Sequence, residues 1–215
     1  RSFGTASLTA KDVKPEFLQA VMQRASMASE GKRRIAAAAA VLVRDGATLI
    51  LDVGTTVYEL AKLVQNKSVT IHTSSIPTAL CANGGTAEVR VSGGRMERTY
   101  EVLNGPAAES FYRNLYCDFV FISAAAVSLD HGLTAYTEDD AALKRMMLSR
   151  GKTCVLLADS GKFGAVQQYR ACGLERMNIV ITDAPPAEEY MDFFAHRGIR
   201  VIVAESSKES RAFGM

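Results

Sequence analysis

The chain has 215 residues, of which 48% are hydrophobic and 22% charged, and its formal net charge is +2 at pH 7. These fractions are typical of a soluble globular protein. The basic residues are spread along the chain, so we expect it not to bind DNA by itself. The densest basic run, Lys32-Arg33-Arg34, is interpreted as the solvated face of a helix.

The cysteines Cys81, Cys117, Cys154 and Cys172 lie far apart and mostly within apolar runs. Without CxxC or Cys/His spacing they indicate buried thiols in a reducing compartment and favour neither a metal site nor disulfides. No stretch approaches the roughly 18 consecutive apolar residues of a membrane span. No signal peptide opens the chain. We therefore expect a cytoplasmic protein that requires no metal and no cofactor and contacts no membrane.

In chain order, residues 1–23 are predicted to be a leader or connector, residues 24–205 one domain, and residues 206–215 a flexible polar tail. The predicted helices are 29–43, 57–64, 77–83, 106–115, 139–150 and 187–197. The predicted strands are 47–52, 68–73, 87–91, 119–123, 153–158, 178–182 and 199–203. Short apolar strands that alternate with amphipathic helices indicate an α/β fold, with a mostly parallel, Rossmann-like sheet covered by helices on both faces.

Polar residues follow the first predicted strand at the point where the chain enters a helix. Asp52 ends the strand, Gly54 allows a tight turn, and Thr55 and Thr56 place hydroxyls beside the free N–H groups of the helix. Such a junction suits a phosphate. An ordinary helix cap explains it equally simply, and taken alone the cap is the better explanation.

Ser74 and Ser75 repeat this chemistry after the second strand, which makes a polyol or phosphate pocket as good an explanation as two caps. Gly93, Gly94 and Arg95 follow the third strand, where the arginine is suited to clamp a phosphate. A plain Gly-Gly turn is the alternative there.

Asp159 and Lys162 follow a later strand and are candidates for a hydroxyl acceptor and a phosphate contact. The alternative is a surface turn with an ion pair of little energetic value. All four junctions are expected at the same end of the sheet, where parallel α/β sheets bind ligands.

Residues 132–140 lead into a predicted helix that carries Glu138, Asp139 and Asp140 in its first turn and Lys144 one turn later. This order of charges suits a helix dipole and needs no ligand. Because of its position, we favour a lid in which an acid accepts sugar hydroxyls and Lys144 reaches inward.

Catalytic motifs are missing from the sequence. The three histidines show no partner pattern, and no G-x-S-x-G, Walker A or G-x-G-x-x-G motif occurs. The sequence thus assigns no catalytic residue.

Seven short motifs occur in one order: Lys32-Arg33-Arg34-Ile35-Ala36, Asp52-Val53-Gly54-Thr55-Thr56, Ser92-Gly93-Gly94-Arg95, Asn104-Gly105-Pro106, Gly132-Leu133-Thr134, Lys144-Arg145-Met146-Met147 and Asp159-Ser160-Gly161-Lys162-Phe163-Gly164. Together they resemble the sensor domain of DeoR-type transcription regulators, over residues 24–204. Residues 1–6 resemble the connector that follows the winged helix-turn-helix of that family.

This resemblance implies a fold shared with ribose-phosphate isomerases, glucosamine-phosphate deaminases and CoA transferases. It implies a phosphorylated sugar or sugar acid as effector, operator DNA bound through an N-terminal domain absent from this chain, and a homodimer or homotetramer. The residues carried over are the phosphate cradle Gly54, Thr55 and Thr56 with Ser74 and Ser75, the charge partners Arg95 and Lys162, and the variable side Glu138, Asp139, Asp140 and Lys144.

The related enzymes place acids after the strand that here continues as Ser123-Ala124-Ala125-Ala126. One hydroxyl and three methyl groups cannot act as the base for proton transfer at a sugar carbon. We therefore expect a sensor. A sugar-phosphate isomerase or deaminase, and a ligand-free oligomerisation module, are the two alternatives.

Overall fold

The structure, a computed structural model, describes residues 30–204, so the predictions for residues 1–29 and 205–215 lie outside the described part. The α-helices are α1 (Glu30–Leu42), α2 (Thr55–Val64), α3 (Ile76–Ala82), α4 (Pro106–Arg113), α5 (Glu138–Leu148) and α6 (Glu188–His196). The strands are β1 (Thr48–Leu51), β2 (Thr70–Thr73), β3 (Glu88–Val91), β4 (Arg95–Glu97), β5 (Val102–Asn104), β6 (Cys117–Ile122), β7 (Ala126–Ser128), β8 (Gly132–Ala135), β9 (Gly151–Leu157), β10 (Tyr169–Cys172), β11 (Ile179–Thr182) and β12 (Arg200–Val203).

Seven strands form a central sheet in the order β12-β11-β9-β6-β1-β2-β3, and every neighbouring pair is parallel. Successive side chains of a strand point to opposite faces. In β1, Leu49 and Leu51 therefore pack into the core beneath α1 and α2. Ile50 packs into the second core, beneath α4, α5 and α6. This arrangement confirms the predicted fold class, with helices on both faces of a parallel sheet.

The sheet reverses its order of growth beside β1. From β1 the chain adds β2 and β3 on one side, and later adds β6, β9, β11 and β12 on the other side. At such a switch point the connections leave the two central strands in opposite directions and open a crevice beyond their carboxyl ends. The loops after β1 and β6 border this crevice.

Two small antiparallel sheets were not predicted. A hairpin pairs β4 with β5, and a three-stranded sheet has the order β10-β8-β7. All four residues of β8 are buried. A side chain at Gly132 would place its Cβ 2.1 Å from the carbonyl oxygen of Cys172, so β8 packs tightly against the end of β10. The prediction of a lid over residues 132–140 was therefore wrong for its first half, which is a buried strand of this sheet.

The basic run of α1 is only in part a solvated face. Arg33 is exposed, as predicted, and it pairs with Glu30. Arg34 is half-buried and donates to the carbonyl oxygen of Asp183. Lys32 lies at a cavity described below. None of the helices in residues 30–204 is long and apolar enough to cross a membrane.

Candidate functional site

A cavity of about 150 Å3 lies at the crevice beyond β1 and β6. Its walls come from the loops after β1, β6 and β9, the β4–β5 hairpin, and the start of α5. The lining residues are Lys32, Val53, Gly54, Thr55, Thr56, Glu97, Tyr100, Val102, Asn104, Ser123, Ala124, Ala125, Tyr136, Thr137, Asp140, Lys144, Leu157, Asp159 and Lys162. Seven of these were predicted as site residues, namely Gly54, Thr55, Thr56, Asp140, Lys144, Asp159 and Lys162.

The N-terminus of α2 opens at this cavity. Gly54 precedes the helix with φ of 143° and ψ of 153°, a conformation open essentially only to glycine. A Cβ at this position would lie 2.6 Å from Ser123 Oγ, across the crevice. Among the described residues, no side chain caps the first turn of α2. Its N–H groups lack helical partners, and the positive end of the helix dipole lies at the cavity wall, so the turn suits an anion.

Two lysines add positive charge to the same cavity. Lys162 belongs to a short 3-10 turn, Ser160–Lys162, whose backbone is closed by the N–H of Lys162 donating to the carbonyl oxygen of Asp159. Lys32 reaches the cavity from α1. Lys32 was not predicted as a site residue, because the run Lys32-Arg33-Arg34 was interpreted as the solvated face of a helix.

A buried ion cluster forms the floor of the cavity. Lys144 Nζ lies 2.5 Å from Asp52 Oδ2 and 3.2 Å from Asp140 Oδ1, and the Lys144 side chain is only 3% exposed. Burial opposes the charged ammonium. The carboxylates of Asp140 and Asp52 outweigh that penalty and raise the pKa of Lys144 above its usual range. Lys144 thus lines the cavity as predicted, with its charge held by two carboxylates.

Asp52 supports the floor from beneath and is outside the cavity lining. Its Oδ2 accepts a hydrogen bond from the N–H of Ser123 at 3.0 Å, which ties the loop after β1 to the loop after β6. Burial raises the pKa of the Asp52 carboxyl above its ordinary value, and Lys144 opposes this shift. The geometry makes Asp52 a residue that positions Lys144.

The second predicted junction does not reach the cavity. Ser74 Oγ lies 2.8 Å from Ser92 Oγ and 2.9 Å from Tyr112 Oη, inside a buried network. Ser75 is the N-cap of α3, and its Oγ accepts from the N–H of Thr78 at 3.3 Å. Ser75 is thus a helix cap, as the alternative explanation held, and Ser74 belongs to a buried hydroxyl network that neither explanation predicted.

The third junction serves the hairpin. A Cβ on Gly94 would lie 2.5 Å from the carbonyl oxygen of Asn104, so this glycine allows a close backbone approach within the protein. Arg95 is 78% exposed in its side chain and lies 2.5 Å from the carboxylate of Asp139. Gly94, Arg95 and Asp139 do not line the cavity. Gly93 and Glu138 also lie outside its lining.

The hairpin contributes a polar and aromatic wall that was not predicted. Glu97, Tyr100 and Asn104 come from this element, and Tyr136 faces it from the start of α5. Asn104 stands in the quoted motif Asn104-Gly105-Pro106, and this motif was the one sequence signal that pointed to the hairpin wall.

Comparison with known proteins gives the family. The model of the DeoR C-terminal sensor domain matches residues 27–184. The HTH-type transcriptional repressor GlcR of Bacillus subtilis is 30% identical over 192 residues, which cover 89% of this chain and 74% of that repressor. The deoxyribose operon repressor of Escherichia coli is 28% identical over 183 residues, covering 80% of this chain and 69% of that repressor.

Solved structures with low sequence identity align with this chain. A point mutant of RipA aligns with a TM-score of 0.52 at 11% identity, over 79% of this chain and 52% of that chain. A ribose 5-phosphate isomerase from Methanocaldococcus jannaschii aligns with a TM-score of 0.46 at 16% identity, over 61% of this chain and 53% of that chain. The likeness to RipA concerns the fold alone. By its match to the family model and to GlcR, the chain belongs to the DeoR family of transcription regulators and carries their C-terminal sensor domain.

Proposed function

We propose that this domain senses a phosphorylated sugar or sugar acid, which binds in the cavity beyond β1 and β6 and controls a regulator of carbohydrate metabolism. The observation that carries the proposal is the uncapped N-terminus of α2 at the cavity wall. Its N–H groups and dipole offer an anion the contacts that the helix itself leaves open.

The phosphate is placed against Gly54, Thr55 and Thr56, with Lys162 and Lys32 as charge partners. Asp159 and Asp140 supply acceptors for sugar hydroxyls on the far side. Arg95, Ser74 and Ser75, which were predicted as contacts, are left out of this arrangement because they lie outside the cavity lining.

The repressor names of the relatives support a regulatory role in a cytoplasmic protein. GlcR is of the helix-turn-helix type, and the match covers 74% of its length. We propose that operator DNA is contacted by such a segment outside these 215 residues, that residues 1–23 form the connector to it and residues 206–215 a tail, and that the domain assembles as a homodimer or homotetramer.

Binding without turnover fits the loop after β6. Ser123, Ala124 and Ala125 line the cavity and place no ionisable group there. Asp140 is held in the ion cluster by Lys144. Incubation with ribose, glucosamine and fructose phosphates should leave each sugar unchanged by NMR, and turnover of any of them would favour an isomerase or deaminase.

Lys162→Met is expected to weaken sugar-phosphate binding by about 10- to 100-fold, since a hydrogen bond to a charged group contributes about 1.5–3 kcal/mol. Calorimetric titration with a panel of hexose and pentose phosphates measures the loss. Lys152→Met removes an exposed lysine outside the cavity and is the matched control. Equal affinities in the two variants would refute the proposed phosphate site.

A further inference from the structure

Two tyrosine rings lie parallel to each other at the cavity. The rings of Tyr100 and Tyr136 are stacked, with centroids 6.1 Å apart and an interplanar angle of 5°. Both residues line the cavity. They remain 38% and 47% exposed, although large aromatic rings gain most from burial. The pair therefore presents apolar area that a ligand can cover.

The turn that carries Tyr100 has a fixed backbone. The carboxylate of Glu97 accepts from the N–H groups of Thr99 and Tyr100, both at 2.8 Å. Glu101 has φ of 54°, in the left-handed region, although it is not a glycine. Its carbonyl oxygen accepts from the N–H of Ile76 at 2.9 Å. Such a conformation persists only when its surroundings enforce it, and it is found preferentially at functional sites.

The same hairpin places an unpartnered acceptor at the cavity. Asn104, the last residue of β5, is 3% exposed and lines the cavity. Its Oδ1 is buried and has no hydrogen-bond partner among residues 30–204. Native proteins rarely leave a buried amide oxygen unsatisfied, because its desolvation costs about as much as a lost hydrogen bond. A hydroxyl group of a ligand in the cavity would satisfy it.

We propose that the β4–β5 hairpin selects a sugar in its closed-ring form. The apolar C–H face of the sugar packs on the exposed side of the Tyr136 ring, which Tyr100 supports by stacking, and a hydroxyl of the sugar ring donates to Asn104 Oδ1. This inference rests on the proposed function, because it assigns the sugar end of a ligand whose phosphate lies at α2.

Ring closure is the property that this surface can distinguish. A pyranose has a rigid face of C–H groups that matches a flat aromatic surface. The matching open-chain alditol has the same phosphate and a similar set of hydroxyls but no fixed face, and it loses the freedom of several rotatable bonds on binding. We therefore expect a preference for the pyranose that disappears when the aromatic surface is removed.

The test compares matched pairs by calorimetry: glucose, galactose and mannose 6-phosphates against their alditol 6-phosphates. The unmodified protein should bind the best pyranose at least about 10-fold tighter than its alditol, because the alditol loses the freedom of its rotatable bonds on binding. Tyr136→Leu should weaken pyranose binding by about 5- to 10-fold and change alditol binding by less than about twofold. Asn104→Leu should weaken the pyranose as well.

Tyr116→Leu is the control, since Tyr116 is 82% exposed and lies outside the cavity lining. Equal binding of pyranose and alditol, with both lost in Lys162→Met, would overturn the ring preference and leave the proposed function standing. Equal losses of affinity for the pyranose and the alditol in Tyr136→Leu would overturn the ring preference as well. Failure of the unmodified protein to bind any sugar phosphate would overturn the proposed function and this inference with it.

Discussion

Replacing Lys144 with methionine is expected to lower the free energy of unfolding by about 3–5 kcal/mol at pH 7, because it leaves a buried carboxylate without its cation. Asp52 is 1% exposed in its side chain and lies 2.5 Å from Lys144 Nζ. Methionine has a similar length and fills the same space, so the loss reports the charge and not a cavity. Urea unfolding followed by circular dichroism measures it, since the chain has no tryptophan.

The loss of unfolding free energy in Lys144→Met should become smaller as the pH falls. Burial already raises the pKa of Asp52, and removal of Lys144 removes the interaction that lowers it. A carboxyl with a raised pKa in the folded state binds more protons folded than unfolded, so stability falls as pH rises from the unfolded pKa through the folded one. The difference between the unmodified protein and Lys144→Met should therefore be smaller at pH 5 than at pH 7.

A second substitution, Asp52→Asn, should restore most of the stability lost in Lys144→Met, because both partners of the pair are then neutral. Arg90→Met is the control for loss of a surface ion pair. Arg90 and Glu88 are 55% and 58% exposed, so this change should cost less than about 1 kcal/mol. Similar losses of unfolding free energy in Lys144→Met and Arg90→Met would show that the buried ion cluster does not stabilise the floor of the cavity.

Gly54→Ala is expected to abolish sugar-phosphate binding and to destabilise the protein by about 1–3 kcal/mol, the cost of a residue held in a conformation open only to glycine. The added Cβ would lie 2.6 Å from Ser123 Oγ, so the first turn of α2 or the loop after β6 must move. Either movement displaces N–H groups that the phosphate requires. A sugar phosphate at 100 times its Kd stabilises the unmodified protein by about 2.7 kcal/mol. A thermal-shift measurement should show that Gly54→Ala has lost this stabilisation.

Gly46→Ala is the control that separates the loss of ligand binding from the loss of stability. Gly46 has φ of 80°, but a Cβ there would meet no atom of the described residues within 4 Å. This variant should lose about 1–2 kcal/mol from the left-handed backbone alone and keep full ligand binding. Retention of binding in Gly54→Ala at the level of Gly46→Ala would place the ligand elsewhere.

The central sheet was predictable because its inner strands β1, β6, β9 and β11 contain unbroken apolar runs. The run 49–51 shows this, since one residue enters one core and its neighbours the other. The hairpin was missed because β4 and β5 have three residues each and no apolar alternation. Residues 132–140 were predicted as a lid because of their position in the chain, although residues 132–135 form a buried strand in which Gly132 allows close packing.

The position of Ser74, Ser75 and Arg95 outside the cavity follows from the order of the strands. Junctions after parallel strands share one end of a sheet, but only those after β1, β6 and β9 line this cavity, and those after β2 and β3 do not. Thr55 follows β1, next to β6, and lines the cavity. Ser74 and Arg95 follow β2 and β3, one and two strands further out. Chain order alone does not reveal this distance, because it depends on where β6 pairs.

Binding of a phosphate group at the N-terminus of α2 is tested most directly by NMR. Backbone amide resonances are followed while inorganic phosphate, and separately glucose 6-phosphate, is added to the protein. The amides of Gly54, Thr55 and Thr56 are expected to shift with both ligands, because both carry the anion. Shifts with either ligand that leave these three amides unchanged and appear only at residues outside the cavity would contradict the site.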